Sequence, residues 1–316
     1  MSKDSFKLIK TKIYKTCQTR GADDDVIYQN RVKRNSTVLI PYNEYEACKM
    51  APSVDGKYEN GYIVLIRPED YFMPNALVTL KNQGLKLGTN LLVFYETREQ
   101  WYKYKIKSGW KPASSRKAPL GGEYVARIPA TTAEGQSKIV QGYNSSSMKG
   151  AGIRVYEYAD TKTIDLCKLQ LEYLFWSCYD IETFLEASGD QKANLEERRE
   201  IVLKEAHENG VDDATWLKQE RIIDKEGNTI CPLCLEKMSA MGFASKMIQA
   251  EGRNVPDLTI TNTSLFHIHE LRSGQFNHRL YNLGWGHHHC NVTVADKGVI
   301  GTLDWMKQIL EANDWI

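Results

Sequence analysis

Over roughly the first 160 residues, apolar side chains come in short bursts: "TVLIPY", "GYIVLI", "NLLVFYE" and "GIRVYEY", separated by Gly, Pro, Asn and Asp. That is the punctuation of strands and turns. "RPEDYF", directly after "GYIVLI", offers a turn and a short helix. From about Asp165 the apolar spacing changes to three and four. "DLCKLQLEYLFWSCYDIETFLEA" reads as one helix and "NLEERREIVLKEAHENG" as a second, with Gly210 as its C-terminal cap. Asp212 can cap a third, "ATWLKQERII". "SGDQKAN" (188–194) is the linker candidate. Then come "CPLC", a helical stretch around "GFASKMIQA", a histidine-rich segment and a closing helix "TLDWMKQILEAN". The pattern predicts an α+β chain in three parts: a β-rich N-terminal domain over 1–164, a helical connector over 165–224 and a C-terminal module over 225–316.

At 316 residues, the chain is long enough for more than one domain. It has no run of about 18 apolar residues, and its lysine-rich start has no continuous apolar segment. Neither a transmembrane helix nor a secretory signal is expected, so the cytoplasm is the expected compartment and a membrane is not an expected partner. A net charge of +1 excludes a strong overall field for polyanions, so a nucleic acid would have to be held by a local basic surface. "WYKYKIKSGWKPASSRK" (101–117) offers one: Lys103, Lys105, Lys107, Lys111, Arg116 and Lys117, interleaved with Trp101, Tyr102, Tyr104 and Trp110. In a strand, Lys103, Lys105 and Lys107 share a face and could follow DNA phosphates; the alternative is a solvated strand face. "YQNRVKRNS" (28–36) is a second basic segment, rich in the side chains that pair with base edges.

The seven cysteines are odd in number and mostly scattered, which argues against a disulfide framework. Cys231 and Cys234 are the close pair. The same three-residue step recurs at His287 and Cys290 in "HHHC", with His288 and His289 as substitutes. Two such knuckles can close a tetrahedral Zn²⁺ site, and metal binding would staple a module too small to be held by apolar burial alone. The alternatives are plain buried thiols or a redox pair. Six of the seven histidines lie between Leu265 and Asn291.

The segment "FHIHELRSGQFNHRLYNLGWGHHHCN" resembles the HNH, or ββα-metal, endonucleases. "HIHELRSG" matches their first strand and glycine loop, and "YNLGWGHHHCN" their second strand, knuckle and helix start. His267 precedes Asn282 by 15 residues and Asn291 by 24, as that family requires. The resemblance covers about residues 228–300, and the wording also looks like restriction endonucleases of the BstXI type. It implies His267 as general base, Asn282 as brace of the loop between the strands, and Asn291 as an oxygen ligand of a catalytic cation. One position departs. Where the family has an Asp ligand this chain has Phe266, which binds nothing. Either His269 supplies the missing ligand beside His267, or the two histidines exchange roles; Asp296 is a further candidate oxygen ligand. Imidazole ligands would admit Mn²⁺, Co²⁺ or Ni²⁺ as well as Mg²⁺. His278 reads as a polar structural residue and Trp285 as core.

The resemblance implies a type II restriction endonuclease: a β-rich DNA-recognition domain, a helical connector and a zinc-stapled ββα-metal module. It would hydrolyse double-stranded DNA to 5′-phosphate and 3′-hydroxyl ends, using structural Zn²⁺ and catalytic Mg²⁺. A palindromic site implies a homodimer. The competing readings are a modification-dependent nuclease and a non-catalytic zinc module that binds nucleic acid or protein.

Overall fold

The computed structural model describes residues 37–49, 57–115, 119–127, 140–141, 153–243, 262–295 and 297–316. The segment 28–36, Arg116, Lys117 and Asp296 lie outside these. The described residues divide between Asp160 and Thr161 into two compact units.

The first unit is built on a six-stranded sheet in the order β5-β4-β3-β2-β1-β6. Its strands are β1 (Val38–Pro41), β2 (Tyr62–Ile66), β3 (Leu91–Tyr95), β4 (Tyr124–Arg127), β5 (Val140–Gln141) and β6 (Ile153–Arg154). Every neighbouring pair is parallel except β4 with β5. The central strands are unbroken apolar runs because both faces are covered. Leu39, Ile63, Leu65, Leu92 and Phe94 pack together on one face with Leu120 and Val125. Short helices lie in the crossovers: α1 (Tyr45–Cys48), α2 (Pro68–Tyr71), α3 (Ala76–Asn82) and α4 (Arg98–Lys103). The unit is therefore a mainly parallel sheet with helices rather than a purely β-rich domain.

The expected basic strand does not form. Thr97 and Gln100 form a capping box that starts α4, so Lys103 ends a helix and the lysines share no strand face. Their ammonium groups lie over aromatic rings instead. Lys103 sits 5.3 Å from the Tyr104 ring centre and Lys105 5.6 Å from that of Tyr102. Lys107 is 5.1, 5.3 and 5.9 Å from the rings of Tyr71, Phe72 and Trp110.

In the second unit the expected long helix is two: α5 (Thr161–Trp176) and α6 (Ile181–Ala187). The break has a purpose. Ser177 O accepts from Thr229 N, and the Asp180 carboxylate accepts from Ser239 Oγ at 2.5 Å and Ala240 N at 2.6 Å. The chain leaves the helix in order to hold the segment on both sides of "CPLC". The expected linker is instead one turn of 3-10 helix running into α7 (Lys192–Glu208). After α7, Gly210 adopts φ +64°. α8 (Ala214–Gln219) is capped by Asp213, not Asp212, whose carboxylate faces His207 Nδ1 at 3.1 Å. Of "GFASKMIQA", only the end of a 3-10 turn, Met241–Phe243, is described.

The hairpin β7 (Thr263–His267) and β8 (Leu283–His287) is antiparallel and leads into α9 (His288–Val294) and α10 (Gly298–Ala312). Helix α5 is at the centre of this unit. Trp285 Nε1 donates to Leu171 O at 2.8 Å, and Gln170 bonds both Leu283 O and Tyr281 N. Leu171, Leu174 and Phe175 share one core with Phe266, Leu283, Trp285 and Val294, so the helices within 165–224 pack as part of the same body as the hairpin. Buried Glu172 on α5 takes both ends of Arg198 on α7 at 2.7 Å.

Candidate metal centre and histidine site

Two isolated antiparallel bridges follow one another: Ile223–Thr229 closes the turn 224–228, and Ile230–Lys237 closes the turn that holds "CPLC". Within the turn Cys231 N donates to Glu236 O, and Leu235 N to Cys231 O, both at 2.9 Å. Leu235 stands at φ +62°. Arg221 Nε braces the turn at Pro232 O, 2.8 Å away. The second knuckle lies where β8 becomes α9, and packing of β8 on α5 carries His287 and Cys290 to the first. The ligand atoms of Cys231, Cys234, His287 and Cys290 all lie within 4.8 Å of one another, and Cys234 Sγ is 3.3 Å from His287 Nδ1. Three thiols and an imidazole at that separation suit one tetrahedral cation of the Zn²⁺ class. Burial, and then the neighbouring Cys231 and Cys234, push the Cys290 thiol well up. His288 and His289 are engaged elsewhere: His288 Nδ1 is 3.1 Å from Ser264 Oγ, and the His289 ring lies parallel to that of His287 at 5.5 Å.

The hairpin aims the remaining histidines. Phe266 is fully buried and Trp285 nearly so. His267 closes β7, opposite Leu283. Beyond it one more cross-strand bond forms, from Ile268 N to Asn282 O at 3.0 Å, and then other groups take the backbone. Asn282 Oδ1 accepts from His269 N at 2.6 Å, and Ile268 O accepts from Val299 N at the start of α10. Asn282, wholly buried, also donates through Nδ2 to Asn277 O. Its side chain thus ties both ends of the 268–282 loop.

Two imidazole pairs result. His267 Nε2 lies 3.2 Å from His278 Nδ1. His278 is buried, and burial pushes its pKa down to about 4. His269 Nε2 lies 2.7 Å from Glu220 Oε2 at the end of α8. His269 follows the end of the strand, so its direction is set by the Asn282 and Glu220 contacts rather than by strand alternation. Asn291 is half-buried in α9. Sequence reasoning missed Glu220, 49 residues from its partner, and Gln170, in a helix; no local pattern marks either. It also missed Gly298, where a β-carbon would meet Glu270 N at 2.7 Å. There a glycine before a helix was the available signal.

A family model described as "BstXI restriction endonuclease" matches residues 11–288. A solved structure described as "Crystal structure of a type II restriction endonuclease" is similar at 13% identity and a TM-score of 0.28, over 51% of this chain and 59% of that one. The chain thus spans less than two thirds of that protein's length. No curated protein matches.

Proposed function

Because the chain belongs to the BstXI restriction endonuclease family, we propose that it is a sequence-specific, metal-dependent DNA endonuclease whose cleavage site is the HNH-type stretch β7–β8–α9. The observation that best supports this is that the hairpin and the helix start after it bring His287 and Cys290 to Cys231 and Cys234 while carrying His267 and a loop laced by buried Asn282. Cys231, Cys234, His287 and Cys290 hold structural Zn²⁺. His267 is the general base; with Nε2 turned to His278, proton transfer falls to Nδ1. Asn282 fixes the loop. Asn291, His269 and Asp296 are the ligands of a catalytic Mg²⁺ or Mn²⁺, and Glu220 orients His269 as carboxylates orient ligating imidazoles. Bound there, the cation supplies charge stabilisation at the scissile phosphate and the departing 3′ oxygen. The products are 5′-phosphate and 3′-hydroxyl ends. Residues before 160 read the sequence, with Lys103, Lys105, Lys107, Lys111, Arg116 and Lys117 on the backbone, and a homodimer serves a palindromic site.

The test is cleavage of unmodified and methylated double-stranded DNA, with and without Mg²⁺. Discrete fragments from unmodified DNA in Mg²⁺ alone are expected. Cleavage confined to methylated DNA would make the enzyme modification-dependent. Binding without cleavage of any DNA in Mg²⁺ or Mn²⁺ would leave a non-catalytic zinc module.

A further inference from the structure

We infer that His278 is the positioning residue of His267, holding its Nε2 so that Nδ1 is presented to the attacking water. This rests on the reading of His267 as general base.

The two rings are tilted at 47° with centres 5.4 Å apart, and their facing nitrogens are at hydrogen-bond distance. His278 cannot drift, because the backbone on both sides is tied. Asn277 Nδ2 donates to Glu270 O at 2.7 Å, Asn277 O accepts from Asn282 Nδ2, and Arg279 N donates to Asn277 O at 3.0 Å. A ring that is 3% exposed is too enclosed to be the base itself. Its Nδ1 is turned to His267, and its Nε2 is buried with no hydrogen-bond partner among the described residues. Leaving a polar atom unpaired costs on the order of 1–3 kcal/mol. A residue serving packing alone would be better as Leu, so the imidazole has another task.

The chemistry supplies one. In the step, an O–H bond of water breaks and its proton forms an N–H bond at His267 Nδ1; the water oxygen bonds to phosphorus as the P–O3′ bond breaks, and the departing 3′ oxygen takes a proton from solvent. His267 then carries protons on both nitrogens. Its Nε2–H needs an acceptor, and His278 Nδ1 is that acceptor. Burial keeps His278 neutral at ordinary pH, so the acceptor lone pair is present when the imidazolium forms. Before the step, the same contact selects the His267 tautomer with its lone pair on Nδ1, as an orienting partner does for a catalytic imidazole.

The experiment is single-turnover cleavage, with DNA Kd and zinc content as controls, in His278→Leu, His278→Asn, His267→Ala and the double variant His267→Ala/His278→Leu. His278→Leu is expected to lose roughly 10–100-fold in rate, the worth of a hydrogen bond to a charge that forms in the transition state, with Kd unchanged. His278→Asn places Oδ1 where Nδ1 stood and recovers most of the rate. In the His267→Ala background, His278→Leu changes nothing further, because a residue acting through another has no effect once that other is gone. Equal losses in both backgrounds, a full rate in His278→Leu, or Asn no better than Leu would each overturn the assignment while leaving His267 as base. Undiminished cleavage by His267→Ala would overturn the base reading itself. If the Leu variant does not fold, His278→Gln, whose amide reaches past the Nδ1 position, supplies the loss to set against the Asn recovery.

Discussion

The ring of Phe266 lies on Gly286: a β-carbon at residue 286 would stand 2.3 Å from Phe266 Cδ2 and 3.0 Å from Cε2. A flat ring on one strand fills the space that a missing side chain leaves on the other. The contact seats position 266 in the core that the hairpin shares with α5 and leaves the next residue, His267, partly exposed. An acid at 266 would therefore meet apolar walls. Phe266→Asp is expected to cost at least about 3 kcal/mol, from a lost aromatic and a buried unpaired carboxylate, without tightening Mg²⁺ binding. Gly286→Ala should cost about 1–3 kcal/mol by overpacking. Urea denaturation measures both. A stable Phe266→Asp protein with raised Mg²⁺ affinity would show that position 266 faces the cation after all.

The Cys/His quartet predicts one tightly held zinc per chain. Cys234 is exposed, so removing its sulfur creates no cavity; an effect of Cys234→Ala on folding would report the metal. Zinc content should fall towards zero. The unit within 161–316 should melt far earlier, since structural zinc contributes roughly 10 kcal/mol or more of folding free energy in small modules. Elemental analysis with calorimetry decides this. A metal-free chain with an unchanged melting profile would reduce the four residues to neighbours.

What could be read from the sequence followed the reach of its signals. Cys231, Cys234, His287 and Cys290 were readable because both knuckles are local and repeat one step. The central strands were readable as apolar runs, but their parallel order was not. The short helix expected in "RPEDYF" is α2, whereas α4, at six residues, is too short to show a helical period and read as a strand. The lysines at 103, 105 and 107 alternated as a strand would, and the capping box at Thr97 overruled the alternation. The break before α6 depends on Asp180 meeting Ser239, 59 residues away. Glu220 and His278 owe their places to long-range packing in the same way, and that is where sequence pattern gives out.

The buried imidazole of His278 also sets a pH dependence. Its pKa is about 4 in the folded chain, against about 6.5 when free. Between these values the unfolded chain binds a proton that the folded one refuses. Stability is thus full above pH 6.5 and falls as the pH drops towards 4, by at most about 3 kcal/mol. Loss of zinc from protonated ligands adds to the decline, so the informative quantity is a difference. Urea denaturation at several values from pH 7.5 to 4.5 should show wild type losing stability faster than His278→Leu, by a slope approaching one proton. Parallel curves would mean that His278 is not kept neutral by the fold.

The roles of the two histidines separate by metal response. His267→Ala should cut the cleavage rate by roughly 10²–10⁴-fold, the usual worth of positioned proton transfer, and added metal should not restore it, since no cation replaces a missing base. DNA affinity should hold, because affinity comes from phosphate and base contacts elsewhere. Asn291→Ala removes a ligand and leaves the base, so its activity should return partly at high Mg²⁺ or Mn²⁺. His269 belongs with Asn291 if it is a ligand. Its Nε2 is bound to Glu220, which leaves Nδ1 for the metal and makes Glu220 its orienting carboxylate. His269→Ala and Glu220→Gln should then both be rescued by metal, with Glu220→Gln the milder. The opposite pattern, His269→Ala inactive at every metal concentration and His267→Ala rescued, would exchange the two roles and make Glu220 the partner of the base. Full activity in both histidine variants would remove cleavage from this hairpin altogether.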